Sequence, residues 1–271
     1  CSFSNPLLSI TLPVIKRLKK PAVVEFVGSD IRNPEIEFAD NPYYKAVFNN
    51  GYEYPYESAE NSKSTQLKFA RAGFDVIAMP GMGQYIDKSI FPNPYKVFQR
   101  IDTSKFEFSP PKSENKRPLI VHAPTAPVGK GTIYIEKAIE NLRKNHNFDF
   151  VLIKNMKHNE ALENIKKCDL YIDQLISGNY GMAAMEAMAF GKPVISYMKD
   201  SVLINEFPND CPIVNANPSN IESVIQTILS NKSILIETGV KSRNYILKYH
   251  EINNVIPILL DTYSNIIREN K

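Results

Sequence analysis

Two stretches of this sequence combine residue types that could do chemistry. The first is Ser177 to Lys192. Glu186 is the one carboxylate in the run Met182 to Phe190, whose other residues are apolar helix formers. A helix of that composition is buried, and a buried carboxylate needs a partner, either a structural one or a polar ligand. Just ahead of it Asn179, Tyr180 and Gly181 can turn tightly, leaving amide N–H groups at Tyr180 to Met182 aimed at an anion. Gly191 and Pro193 then stop the helix. The second stretch is His122-Ala-Pro-Thr-Ala-Pro-Val-Gly129-Lys130-Gly131-Thr132, a strand end, a Pro- and Gly-bearing loop and a helix start. Such a loop offers backbone amides, a helix dipole and a lysine charge to a diphosphate, although it has neither Walker A nor GxGxxG spacing. Two helix starts at one edge of one sheet can converge on a single pyrophosphate.

A third candidate is Asp30 with Arg32, in the loop after an apolar strand at Ala22 to Val27. Ligands gather at the carboxyl ends of parallel strands, so the two are either site residues or an ion pair that fixes the loop. Tyr43, Tyr44, Tyr52, Tyr54 and Tyr56 either line an acceptor surface or pack a long loop. Other chemistries lack their residues. There is no Asp-x-Asp pair and no GxSxG elbow, and His122, His146, His158 and His250 are scattered without metal-ligand spacing. Cys1, Cys168 and Cys211 form no CxxC, so the sequence proposes neither a zinc site nor a disulfide framework.

The elements that must position these residues follow from periodicity. Strands are expected at Ala22–Val27, Asp75–Met79, Leu119–His122, Phe148–Ile153, Asp169–Asp173, Pro193–Tyr197 and Pro212–Val214. Helices are expected at Ser64–Ala72, Thr132–Lys144 and Asn159–Lys167, from Asn217-Pro218 onward, and at 233–249 and 252–268. Ile135, Ala138, Ile139 and Leu142 fall on one helical face. Residues 33–60 read as mostly loop. Prolines and polar residues over 91–117 mark the best domain boundary. The alternation after Leu119 implies βαβ units and a parallel, Rossmann-like sheet. The division expected is 1–110, 117–250 and a C-terminal stretch at 251–271, whose helix, as the family resemblance below implies, packs back on the first domain.

Lys130-Gly131-Thr132, Cys168-Asp169-Leu-Tyr-Ile-Asp173-Gln174 and Tyr180-Gly181-Met-Ala-Ala-Met-Glu186-Ala-Met-Ala-Phe-Gly191-Lys-Pro-Val-Ile195 resemble the donor-binding domain of GT-B glycosyltransferases, closest to the family-4-like "glycosyl transferases group 1" class. The resemblance covers roughly residues 117–250. It extends more weakly to Gly28-Ser-Asp-Ile-Arg32 and Val97-Phe-Gln-Arg-Ile101-Asp102. It implies an α/β GT-B fold of two Rossmann-like domains, the first incomplete, and transfer of a sugar from a nucleotide-sugar donor with retention and without an obligatory metal or cofactor. By the match, Lys130 neutralises the departing diphosphate and Glu186 accepts from the donor ribose. Gly129, Gly131, Thr132 and the amides of Tyr180, Gly181 and Met182 hold the phosphates or sugar, and Asn155 and Met156 meet the base. Asp30 is a distant candidate for a catalytic role. The family's usual Glu is replaced here by Gly178, and its usual Arg by Thr125, so that either Asp173, Gln174 or Asn179 substitutes or activity is reduced. The rivals are a non-catalytic nucleotide-sugar-binding subunit and a nucleotide-sugar epimerase.

The 271 residues carry a net charge of +3 with Lys and Arg dispersed, which argues against nucleic acid as a partner. The partners implied are the donor and a sugar or lipid-linked acceptor, with peripheral membrane contact, in glycan or envelope polysaccharide synthesis. The first residues lack signal-peptide order and no stretch is long and apolar enough for a membrane span, so the expected location is cytoplasmic. The opening at Cys1 suggests a chain truncated at its N-terminus.

Overall fold

The computed structural model describes residues 6–112 and 114–269. Cys1, on which the expectation of truncation rests, lies outside them. The chain divides into two compact units, one of residues 1–40, 54–99 and 253–271, the other of 41–53 and 100–252.

In the first unit three strands, β1 (Ala22–Phe26), β2 (Phe74–Ala78) and β3 (Tyr95–Lys96), form a parallel sheet in chain order, with Ala22 opposite Phe74 and Ile77 opposite Tyr95. Its core joins Phe26, Ile31, Phe69 and Val76, with the Phe26 and Phe69 rings edge to face at 5.7 Å. On the other side of β2, Ile77 and Val97 pack with Val255 and Leu259 of the helix Ile252–Glu269.

The second unit carries five parallel strands, β4 (Leu119–His122), β5 (Asp149–Leu152), β6 (Leu170–Ile172), β7 (Val194–Ser196) and β8 (Val214–Asn215), in the order β5-β4-β6-β7-β8. That is a doubly wound order whose switch point lies between β4 and β6, where a crevice opens beyond the strands' carboxyl ends. One helical layer sets Ile135, Ala138, Ile139 and Leu142 against Ile221, Ile225 and Ile228 over the sheet. The helix Met182–Ala189 is buried from Ala184 to Ala189, as its composition demands. Gly191 ends it at φ +81, and its carbonyl lies so near Gly239 that a Cβ there would stand 2.3 Å away.

The strand and helix pattern expected after Leu119 is present, and three local readings are corrected. Residues 33–60 are not mostly loop: two seven-residue helices, Pro34–Asp40 and Pro42–Phe48, occupy them. Asn33 and Asn41 accept hydrogen bonds from Glu35 N and Tyr44 N, and a proline follows each asparagine, so capping makes helices too short to show a period. Conversely, Asn217-Pro218 opens a turn, with Asn217 N bonded to Asn220 Oδ1, and the helix begins at Ile221. The helix expected from Ser64 starts at Ala59, where Ser58 Oγ accepts from Asn61 N.

Candidate active site

The crevice at the switch point is built from the ends of β4 and β6. After β4 the chain makes one turn of helix, Pro127–Lys130, and reverses through Gly131 at φ +72, where a Cβ would stand 3.1 Å from the Ile176 side chain. After β6 comes Asp173, fully buried. Lys130 Nζ donates to Asp173 Oδ1 at 2.6 Å, and Gly181 N, at the start of the helix Met182–Ala189, donates to Asp173 Oδ2 at 2.8 Å. The two helix starts that sequence reasoning singled out therefore meet on one carboxylate. It holds the lysine and the helix-opening amide in fixed geometry, with Lys130 partly exposed and Asp173 sealed.

Glu186, one turn into the buried helix, is 9% exposed and receives His158 Nε2 at 2.8 Å. His158 begins the helix His158–Lys167 and is largely exposed. Close by in sequence, Asn155 is exposed at φ +53 and Met156 is 40% exposed. Thr132 is buried for a structural reason. Its Oγ1 lies 3.0 Å from His122 Nε2, while His122 Nδ1 lies 2.8 Å from the Ile172 carbonyl. Burial brings the His122 pKa from 6.5 down to about 4, so the ring is neutral. A carbonyl only accepts, hence Nδ1 carries the proton and the threonine hydroxyl donates to Nε2.

Residues 125–246 match the family model described as Glycosyl transferases group 1. That stretch lies within the second unit. No curated protein matches the chain by sequence. Among solved structures, the chain is similar to Anabaena Alr3699/HepE in complex with UDP, with 12% identity, 95% of this chain and 76% of that one covered, and TM-score 0.63. A Staphylococcus aureus TarM G117R mutant with fondaparinux, alpha-GlcNAc-glycerol and UDP gives 14% identity, TM-score 0.59, and coverage of 96% and 58%. Sucrose-phosphate synthase from Thermosynechococcus elongatus gives 13%, 0.55, and 84% and 67%. The fold is GT-B, with two Rossmann-like units.

Four features of the site were not read from the sequence. Glu53 is one. Its carboxylate takes Val128 N at 2.7 Å and Gly129 N at 2.9 Å, so the first loop contributes a lysine charge and not the free amides expected of it. Tyr52 leaves no room at Gly129, where a Cβ would stand 3.0 Å from its ring. Lys199 is another: it is 1% exposed, and its stem lies where a side chain at Gly178 would go, a Cβ there standing 2.3 Å from Lys199 Cγ. Tyr180 turns its side chain inward, with its hydroxyl 2.8 Å from His250 Nε2. His158 is the fourth. All four partners are distant in sequence, and no spacing announces them.

The remaining candidates are placed as follows. Thr125 is exposed in the loop after β4, and Met182 is 44% exposed at the helix start. Gln174 Nε2 donates to the Asn179 carbonyl at 2.5 Å, and Gln174 Oε1 accepts from the amides of Ile176 and Ser177 at 2.7 Å, which makes it the brace of the loop before Gly181. Asp30 belongs to the first unit, where its carboxylate accepts from Gly28 N at 2.7 Å and Val27 N at 3.2 Å; Arg32 donates to Glu57 at 2.7 Å. Tyr43, Tyr44 and Tyr52 fall in the second unit, where the Tyr44 and Tyr52 rings meet edge to face at 5.2 Å, and Tyr54 and Tyr56 fall in the first, their rings 6.1 Å apart. Among the described residues no group of three or more His, Cys, Asp or Glu is placed to hold a metal ion, and no helix is long and apolar enough to cross a membrane.

Proposed function

We propose that the crevice between β4 and β6 binds the diphosphate of a nucleotide-sugar, and that the protein transfers that sugar to an acceptor with retention and without an obligatory metal. The observation that carries this reading is the shared carboxylate: Asp173 holds Lys130 Nζ and Gly181 N on its two oxygens. A cation fixed beside the first turn of a helix is what a departing diphosphate needs. As the bond to the sugar breaks, negative charge grows on the leaving phosphate, and a charge already in place costs no reorganisation at that moment. Asp173 is the positioning residue for both. Glu186, set in a rigid buried helix, accepts hydrogen bonds from ribose hydroxyls, with His158 holding its carboxylate in one orientation. Asn155 and Met156, exposed beyond β5, offer the surface on which a base stacks. The acceptor is a sugar or a lipid-linked molecule.

A binding role without turnover is favoured by one observation, the Lys199 stem packed over Gly178, where the family's acidic residue has no space. The experiment that separates the readings is nucleotide release by the full chain from UDP-, GDP- and ADP-sugars, with and without EDTA. Release that survives EDTA and falls about a hundredfold in Lys130→Met supports transfer. Binding of the nucleotide with no release from any donor supports the non-catalytic role.

A further inference from the structure

The opposite end of the helix Met182–Ala189 holds a second cavity, of about 390 Å³. It lies at the amino ends of the strands. An eight-residue helix is roughly 12 Å long at 1.5 Å per residue, so the cavity is a full helix length from Gly181. Lys192 forms part of its wall. The backbone of Lys192 is fixed, its N–H donating to the Ala187 carbonyl at 2.9 Å after the Gly191 reversal. Its side chain is 2% exposed, yet no hydrogen bond or ion pair joins its ammonium to any of the described residues.

Every other charged group on that wall is either engaged or at the rim. Asp169 Oδ2 already accepts from Leu119 N at 2.8 Å and Asn115 Nδ2 at 2.7 Å. Lys166 pairs with Glu107 at 2.7 Å. Lys112 and Lys167 are exposed at the mouth, as are Glu114 and Glu163. Asp169 acts on the Lys192 ammonium only through space, and a buried ammonium facing a cavity without a hydrogen-bonded partner is costly unless an anion completes it. Burial pulls its pKa down, against the opposing pull of Cys168 and Asp169.

We propose that this cavity binds a small phosphoryl-bearing anion, with Lys192 at its base as the point charge and Lys112 and Lys167 at its mouth. Lysine suits such a ligand, since its ammonium binds phosphoryl oxygens without demanding the planar fork geometry of arginine. The volume accommodates more than one phosphate group, which two depths of positive charge would match. The site is separate from the crevice at β4 and β6 and does not rest on the function proposed for it.

Pyrophosphate titration of the full chain by calorimetry tests the inference, with Lys192→Met and Lys130→Met compared against wild type. Saturable binding is expected in wild type and in Lys130→Met, weakened about tenfold or more in Lys192→Met and by about threefold in Lys167→Ala. Lys167→Ala alters only an exposed side chain, so it reads the same site should Lys192→Met fail to fold. Binding that disappears in Lys130→Met but persists in Lys192→Met would place the anion at the other crevice and overturn the proposal. So would the absence of saturable binding in wild type, or affinities that neither Lys192→Met nor Lys167→Ala changes.

Discussion

Lys130 Nζ and Gly181 N are held by opposite oxygens of the same carboxylate, Asp173, at 2.6 and 2.8 Å. Asp173 has no exposure, so it cannot turn to water when Lys130 is removed. Asp173→Asn leaves a lysine facing a neutral amide. It is expected to cost about 1–3 kcal/mol in urea unfolding, and to weaken UDP binding because the lysine is no longer aimed. Lys130→Met leaves a buried carboxylate held by one amide, and should be destabilised comparably while losing nucleotide release more severely. A stable Asp173→Asn variant with unchanged UDP affinity would show that the carboxylate does not organise the crevice.

Gly178 and Lys199 make a second pair whose meaning can be measured. Gly178 is at φ +70, and an added Cβ would meet Lys199 Cγ at 2.3 Å. Both the backbone angle and the overlap oppose any side chain. Gly178→Ala is expected to lose about 1–3 kcal/mol, and Gly178→Glu at least as much. Truncating the neighbour with Lys199→Ala should shrink the Gly178→Ala penalty to roughly 1 kcal/mol, the part owed to the angle. Urea unfolding of the two single variants and the double variant gives this coupling directly, and additive losses would contradict the overlap.

What the sequence made legible were features carried by local pattern. The apolar run at Met182 to Ala189, the Gly191 stop, and the alternation from Leu119 onward each follow from neighbours within a few residues. So did the convergence of Lys130 and Gly181, because parallel strands deliver their loops to one edge. What stayed hidden depended on partners far along the chain. Glu53 reaches Gly129 across 76 positions, and His158 reaches Glu186 across 28. Gly178 read only as the position of the family's usual acidic residue, and the lysine stem over it could not be seen. Asn-Pro pairs show the limit of local rules: at Asn41-Pro42 the pair opens a helix, whereas at Asn217-Pro218 the side chain of Asn220 diverts the chain into a turn first.

Glu186 and His158 should separate in their effects. Glu186 is nearly buried on a rigid helix, whereas His158 is 67% exposed and holds it from solvent. Glu186→Ala is expected to weaken UDP binding about tenfold or more, since it removes the group proposed to meet the ribose. His158→Ala should cost about threefold or less, because an exposed partner contributes little once water can replace it. Fluorescence or calorimetric titration with UDP checks both. Equal losses would mean that the histidine itself touches the nucleotide.

The neutral His122 sets a pH window on stability. Its folded pKa of about 4 lies below the ordinary 6.5, because burial disfavours the charged ring. Between those values the unfolded chain binds a proton that the folded one does not, so stability rises with pH across the window. The contribution is complete above about pH 6.5 and is lost as pH falls toward 4. Each unit of displacement is worth about 1.4 kcal/mol, which puts the effect at roughly 3 kcal/mol over the window. His122→Asn preserves a donor for the Ile172 carbonyl but cannot titrate. Its unfolding free energy, measured by urea from pH 4.5 to 7, should show a flatter slope than wild type whatever its absolute stability. Parallel slopes would mean that the ring is not held neutral by burial.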